Sequence, residues 1–338
     1  MGKIKLGIMG FGEIGRNLYN MCLEDDKIEV VAISDIGRPE ILHYLLNALT
    51  PNGKQTQLEH NYLVSPNGKA RLLNASLPGQ VPWDAFDVDF VVDATGKFSS
   101  RAEMEKHLQA GAKRVMISFL PEDEIDRIVV MGVNEQTINA NDKLISPGSA
   151  TTNATAIMLK LMDENFGLEY ANFTAIHEYT ADQPLRDIAG SDFRRSRSAA
   201  ENIIPNISPT VRWLPTIIPD MKGKVEGMAL NVPISSGSLL DLNTFLRKKD
   251  ISVADVDAAV MRAAAEKPGI IQFMEDPIVS SDVSGNRHSV VYDQQATMKS
   301  KGQIVKTMSW YHKASCFTQR IKDIMVAYDN LDKKGQVK

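Results

Sequence analysis

The sequence has few cysteines, no long apolar run and no excess of positive charge, and each shortage removes a class of function. Two cysteines, Cys22 and Cys316, stand far apart among 338 residues. With no CxxC and no Cys/His spacing they offer neither a zinc motif nor a disulfide framework, and they fit a reducing, cytoplasmic compartment. No stretch approaches the ~18 consecutive apolar residues that a membrane helix needs. The N-terminal run MGKIKLGIMGFGEIGR is broken by glycine, meets Glu13 and Arg16 at once, and lacks the small-residue cleavage site of a signal peptide. Lys plus Arg is 38 against 42 for Asp plus Glu, a net charge of -4. No basic field is available for a phosphodiester backbone, so neither nucleic acid nor a membrane is an expected partner. The remaining composition, 43% hydrophobic and 24% charged, is that of a globular chain. Its length suits about two domains.

Along the chain, residues 3–9 read as a strand, GFGEIG follows, a helix runs to about Glu24, and IEVVAIS forms a second strand ending at Asp35, a βαβ unit. Short buried strands are expected at 88–93, 113–118, 128–133 and 143–146. Ser100 and Glu103 form a capping box opening a helix, and SPNGK at 65–69 reads as a hairpin turn. The alternation is that of a Rossmann-type doubly wound parallel sheet. From about 150 the pattern changes. A helix over ATTNATAIMLKLMDENF presents Ala154, Ile157, Met158 and Leu161 on one face, with Gly167 as its C-terminal cap. Strand-like segments at 171–180, 223–234, 238–247, 289–296 and 303–311 then make a mixed α+β domain. An Arg-rich stretch from Asp182 to Asn206 is too long for a simple connection and reads as functional or interfacial. An amphipathic helix spans about 318–332, and Trp310, Tyr311, Met158 and Met162 read as packing.

Gly10, Gly12 and Gly15 form G-x-G-x-x-G between a strand and a helix, and Asp35 lies twenty residues past the last glycine, at the end of the second strand. Glycine lets the backbone turn tightly and approach a pyrophosphate, the helix N-terminus favours the negative charge, and a carboxylate can bond the ribose hydroxyls. Asp35 favours NAD over NADP by repelling a 2′-phosphate, while Arg38 keeps NADP open. Glu13 is a negative charge inside this loop and argues the other way unless it faces solvent.

With these residues the chain resembles the glyceraldehyde-3-phosphate dehydrogenase family. The likeness is carried by GFGEIGR at 10–16, DATGKF at 93–98, GAKRVMIS at 111–118, VMGVN at 130–134, SATTN at 149–153, HEYTADQ at 177–183, DFRRSRSAAENIIP at 192–205, GKVEGMALNVP at 223–233 and SWY at 309–311. It implies an NAD-binding domain over 1–150 joined by a C-terminal helix at 318–338 packing back on it, and a catalytic domain over 151–317. It also implies a cytoplasmic homotetramer and a glycolytic oxidation of an aldehyde phosphate, with inorganic phosphate as the second substrate. The cofactor is implied to touch Gly10, Phe11, Gly12, Glu13, Ile14, Gly15, Asp35, Thr95, Gly96 and Ser118, and position 313. The substrate and phosphate are implied to touch Ser149, Thr151, Thr180, Asp182, Arg195, Ser208 and position 231.

The family reaction needs a cysteine thiolate at a helix start and a histidine base. His177 matches the histidine. The nucleophile position is Ala150, and a methyl group cannot attack an aldehyde. Loss of a covalent nucleophile costs on the order of a million-fold in rate. Three further positions depart: the family's phosphate-gripping arginine falls on Asn231, the residue after Ser208 in the phosphate loop is Pro209, which has no N–H to donate, and the asparagine that fixes the nicotinamide carboxamide aligns with Lys313. Losing a charge-assisted phosphate contact costs roughly 1.5 to 3 kcal/mol. An isolated Cys-to-Ala exchange could be a laboratory knock-out, but Asn231, Pro209 and Lys313 point to natural divergence. Three readings stay open: a dehydrogenase silenced at position 150; a pseudoenzyme acting as an NAD- or anion-binding regulatory or scaffold protein; or a changed carbonyl or hydride chemistry drawing on Lys313, His177 and Glu178. Cys316 as a displaced nucleophile is the weakest alternative.

Overall fold

A computed structural model describes residues 2–49, 56–300 and 302–336. The chain divides into two compact units. One takes residues up to Val129, Glu135–Gly148 and everything from Thr318; the other takes Val130–Asn134 and Ser149–Phe317.

The first unit is built on a nine-stranded sheet. Its strands are β1 (Ile4–Met9), β2 (Ile28–Ser34), β3 (Gln57–Glu59), β4 (Tyr62–Ser65), β5 (Gly68–Leu73), β6 (Phe90–Asp93), β7 (Arg114–Ile117), β8 (Arg127–Ile128) and β9 (Leu144–Ser146), in the order β3-β4-β5-β2-β1-β6-β7-β9-β8. The pairs from β5 to β8 are parallel, and only β3-β4 and β4-β5 are antiparallel. Helices α1 (Glu13–Leu23), α2 (Pro39–Leu49) and α3 (Arg101–Gln109) connect the strands. Burial on both faces explains the continuous apolar runs: all four residues of β6 and of β7 are buried. The Ser100–Glu103 capping box forms as expected, each side chain bonding the other residue's backbone N–H. The strand expected over 128–133 stops at Ile128. The chain turns because Val130 N–H donates to Asn134 Oδ1 at 2.7 Å instead of to a ladder partner, and Gly132 takes φ +85°.

In the second unit, a seven-stranded sheet runs β11-β12-β10-β13-β16-β15-β14. The strands are β10 (Leu168–Glu178), β11 (Ile204–Ile207), β12 (Val225–Val232), β13 (Ser238–Leu246), β14 (Ile271–Met274), β15 (Val290–Lys299) and β16 (Ile304–Tyr311). Helices α4 (Ala150–Phe166), α5 (Thr210–Ile217) and α6 (Val253–Glu266) complete it. Helix α4 is buried nearly all round rather than on one face, since Thr151–Asn153, Thr155, Ala156, Leu159 and Met162 are buried as well. That marks a central core helix. Gly167 caps it at φ 69°. The Arg-rich stretch is irregular up to β11, whose pairing with β12 begins at Ile204.

The last helix, α7, covers Lys313–Gln336, so it starts earlier than the expected 318. His312 accounts for this: its Nδ1 accepts from Ser315 N–H at 3.3 Å and lies 2.8 Å from Ser315 Oγ, satisfying a donor of the first turn. Beyond Thr318 the helix packs within the first unit. Tyr328 Oη donates to Asp142 Oδ2 at 2.7 Å, and Arg114 holds Asp332 through two bonds of 2.5 and 2.8 Å. The final two residues of the expected 318–338 helix lie outside the described residues. Among the described residues no helix is long and apolar enough to cross a membrane.

Candidate functional site

Strand β1 lies between β2 and β6, the point where the strand order reverses and where open α/β sheets place ligands. The loop after β1 carries the three glycines, and each has a different physical reason. Gly10 takes φ +87°, and a Cβ there would stand 2.7 Å from the Ala94 carbonyl carbon and the Thr95 nitrogen. Gly15 lies against the Gly10 carbonyl oxygen, 2.2 Å from where a Cβ would be. Gly12 has an ordinary φ of -70° and open space around it. It is also the N-cap of α1 and has no side chain to satisfy the amides of the first turn. Two glycines are therefore required by the fold and one leaves room for something else, which is how a dinucleotide cradle is built.

The loops beside this cradle bring the other expected residues together. Asp35 Oδ2 accepts from Phe11 N–H at 2.7 Å and its Oδ1 accepts from Gly37 N–H at 2.8 Å. The carboxylate is thus pinned to the glycine loop, with lone pairs left on both oxygens for a ribose hydroxyl. Glu13 is exposed at the first position of α1, and Ile14 follows it in the first turn. Thr95 donates through its hydroxyl to Asp93 Oδ1 at 2.6 Å and through its N–H at 2.9 Å. Ser118 N–H donates to the Asp93 carbonyl at 2.9 Å, and Gly96 takes φ +68°. Asp93 is itself held from behind: Trp83 Nε1 donates to His107 Nδ1 at 3.0 Å, which leaves the proton on Nε2 to donate to Asp93 Oδ2 at 3.3 Å. All three side chains are buried. Sequence reading missed this support, because Trp83 and His107 are 24 residues apart and neither belongs to a motif.

The second unit gathers a different set. Ser149 is the N-cap of α4, its Oγ accepting from Thr152 N–H at 3.0 Å. Ala150 opens the helix, buried. His177 lies on β10, and its Nε2 is 2.9 Å from Thr151 Oγ1, which is also 2.9 Å from Tyr311 Oη. Tyr311 therefore does more than pack, as its hydroxyl joins the histidine through Thr151. The Ser149 and Thr151 hydroxyls, expected to face an anion, are each engaged inside the protein. Burial pushes the His177 imidazole down to about 4, with the Glu178 carboxylate opposing this and the Lys313 ammonium adding to it. Glu178 is turned to β13, where its Oε2 accepts from Ser238 Oγ at 2.5 Å. Cys316 is fully buried, its Sγ 4.0 Å from the Lys313 carbonyl oxygen.

Asn231 sits opposite His177 in the β10-β12 register. Asn231 Nδ2 donates to Gln183 Oε1 at 2.8 Å, and its Oδ1 accepts from Asn206 Nδ2 at 2.6 Å. Arg195 Nη1 reaches Asn206 Oδ1 at 3.4 Å, and its Nη2 pairs with Asp182. Burial pushes the Asp182 carboxyl up, but the Thr180 hydroxyl and the Arg195 guanidinium outweigh it and the net shift is downward. Ser208 is buried just before Pro209, the N-cap of α5. Among the described residues no group of three His, Cys, Asp or Glu side chains could hold a metal.

The neutral His177 makes a measurable contribution to acid sensitivity. Its folded value lies below the unfolded 6.5, so between pH 6.5 and about 4 the unfolded chain takes up a proton that the folded chain refuses. Stability present above pH 6.5 is lost as the pH falls toward 4. At 1.36 kcal/mol per pH unit, and with the ring partly exposed, roughly 2 kcal/mol is at stake. In urea unfolding at a series of pH values, His177→Asn is expected to lose about that much less than the parent across this interval. Parallel acid curves for the two proteins would refute the assignment.

Comparison with known proteins addresses the same two regions. Residues 4–101 match the model of the glyceraldehyde 3-phosphate dehydrogenase NAD binding domain, and residues 149–313 match that of its C-terminal domain. Glyceraldehyde-3-phosphate dehydrogenase of Priestia megaterium is 40% identical over 327 residues, 95% of this chain and 97% of that protein. Glyceraldehyde-3-phosphate dehydrogenase 1 of Bacillus subtilis is 39% identical over 338 residues, 98% and 99% of the two chains. The glycine cradle at the switch point of β1 is thus part of an NAD-binding domain shared along nearly the whole chain with these relatives. NAD is the cofactor, and the chain belongs to the glyceraldehyde-3-phosphate dehydrogenase family of oxidoreductases.

Proposed function

We propose that this protein binds NAD but does not carry out the family's phosphorylating oxidation of an aldehyde phosphate. The observation that carries the reading is the opening of α4: Ala150 stands at the nucleophile position, and His177 Nε2 bonds Thr151 Oγ1 instead of a thiol. We assign NAD to Gly10, Phe11, Gly12, Glu13, Ile14, Gly15, Asp35, Thr95, Gly96, Ser118 and Lys313. The chemistry that NAD supplies when bound is acceptance of a hydride. His177 would hold the proton released from a substrate hydroxyl, but with a value near 4 it is a poor base at neutral pH. Thr180, Asp182, Arg195, Ser208, Ser149 and Thr151 would line the substrate, with Arg195 already neutralised by Asp182. NAD titration followed by isothermal calorimetry tests the first half; formation of NADH from glyceraldehyde 3-phosphate and phosphate tests the second. Binding without turnover, at a rate on the order of a million-fold below a thiol enzyme, is expected. Ordinary turnover would refute the reading.

A second reading, a regulatory or scaffold protein assembled as a homotetramer in the cytoplasm, is favoured by one surface. Phe193 and Ile207 are 96% and 93% exposed, and they border a groove of about 670 Å³ with Arg194, Arg195, Pro205, Asn206 and Met228. Apolar side chains this bare mark an interaction surface. Phe193→Asp combined with Ile207→Asp is expected to lower the mass seen by light scattering from that of a tetramer. An unchanged mass would remove this surface from the assembly.

A further inference from the structure

Gly7 lies inside β1, and a Cβ there would stand 2.6 Å from the Trp83 ring. The missing side chain lets a fully buried indole settle against the strand, which fixes where its N–H is delivered. Trp83 Nε1 can only donate, so His107 Nδ1 accepts at 3.0 Å and the single ring proton, on Nε2, goes to Asp93 Oδ2. The other carboxylate oxygen accepts from both the N–H and the hydroxyl of Thr95. A carboxylate with no exposed surface is thus held by three uncharged donors. Such a group adds little stability over an apolar core of the same shape, so its use lies in the position it enforces.

That position is the wall beside the glycine cradle. Ala94 N–H donates to the Met9 carbonyl at 2.7 Å and Ser118 N–H to the Asp93 carbonyl at 2.9 Å, so the ends of β1, β6 and β7 are tied together here. The Ala94 and Thr95 backbone is also what a Cβ on Gly10 would strike at 2.7 Å, so a shift of this turn displaces the glycine loop. Within the turn the Thr95 hydroxyl gives its proton to Asp93 Oδ1 and accepts from Lys97 N–H at 3.2 Å. One lone pair remains, an acceptor for a hydroxyl. Next to it Gly96 has no atom within 4 Å of where a Cβ would be. We propose that Trp83 and His107 are positioning residues for NAD: acting through Asp93, they fix the Thr95–Gly96 turn against the glycine loop and hold the Thr95 hydroxyl as an acceptor for a ribose hydroxyl of the cofactor.

The inference rests on the assignment of NAD to Thr95 and Gly96, and the variants keep the two apart. NAD affinity of the full chain is measured by isothermal calorimetry well below each variant's thermal midpoint, so that lost stability alone does not enter. Thr95→Val keeps the backbone donor to Asp93 and removes the hydroxyl, and it is expected to weaken NAD about fivefold or more. His107→Leu removes both bonds of the ring and is expected to weaken NAD by at least about tenfold. His107→Gln, whose Oε1 can accept from Trp83 while its Nε2 donates to Asp93, is expected to stay within about threefold of the parent. Asp93→Asn offers one acceptor to two sets of donors, so its amide meets His107 Nε2–H, and a loss of at least about tenfold is expected. Trp83→Phe frees His107 to carry its proton on Nδ1 and to accept from that amide, so adding it to Asp93→Asn is expected to recover part of the NAD affinity. Two side chains that only filled the core would give added losses instead. Unchanged affinity in Thr95→Val would remove the contact assignment and the proposal with it. With Thr95→Val weakened, unchanged affinity in His107→Leu, or a His107→Gln protein no better than His107→Leu, would overturn the positioning role alone. If His107→Leu does not fold, the absence of recovery on adding Trp83→Phe to Asp93→Asn would overturn it equally.

Discussion

Ala150→Cys is expected to raise kcat/KM for glyceraldehyde 3-phosphate by at least about a thousandfold over the parent, well short of the roughly million-fold that a covalent nucleophile contributes in an intact site. The gain follows from what the structure retains. Position 150 is the first residue of a 17-residue helix, where the N-terminal dipole stabilises a thiolate, and His177 is held at the neighbouring turn by Thr151. The shortfall follows from what it lacks. His177 near 4 is a weak acceptor, Asn231 brings no charge to the phosphate position, and Arg195 is already paired with Asp182. The two deficits separate by kinetics. Ala150→Cys combined with Asn231→Arg is expected to lower KM at least tenfold relative to Ala150→Cys alone, the equivalent of one charge-assisted phosphate contact. If Ala150→Cys alone reached the family's ordinary kcat and KM, Asn231 and Lys313 would be neutral replacements and the reading of a repurposed pocket would fail. Lys313→Asn added to the thiol variant would, by removing a cation, raise the His177 value.

How much of this was legible in the sequence depends on the range of the interactions involved. The glycine loop, Asp35 and the missing thiol could be read directly, because each is a local requirement: a φ that only glycine tolerates, a carboxylate at a strand end, an atom type at a helix start. The Ser100 capping box and the Gly167 cap were readable for the same reason. The strand expected over 128–133 failed because a side chain, Asn134, outcompeted the ladder for a backbone donor, and apolar composition does not reveal that competition. The early start of α7 depended on a histidine acting as a cap, a role more often filled by Ser, Thr, Asp or Asn. The amide chain of Gln183, Asn231 and Asn206 was not legible either, because Asn231 lies 48 residues from Gln183 and meets it only in the assembled sheet. Tyr311 was read as packing for a comparable reason, since its partner Thr151 is 160 residues distant.

The cradle permits a test in which fold and ligand come apart. Alanine at Gly10 or Gly15 would force a Cβ to within 2.7 or 2.2 Å of backbone atoms, so loss of NAD binding there would say little about contact. Gly12 is different: its φ is ordinary and no atom lies within 4 Å of a Cβ built on it. Gly12→Val therefore should cost the ligand-free fold only the difference between a glycine and an apolar N-cap, about 1 kcal/mol. Its branched side chain would instead occupy the space over the uncapped amides of α1, where a pyrophosphate must approach closely. The expected result is a thermal midpoint within a few degrees of the parent and an NAD affinity lower by at least about a hundredfold, the loss of two strong hydrogen bonds to a charged group. Gly15→Ala should show the reverse order of effects, with destabilisation first. A Gly12→Val protein that bound NAD as tightly as the parent would mean that the pyrophosphate does not pass over this loop, and the assignment of Phe11, Glu13 and Ile14 would fall with it.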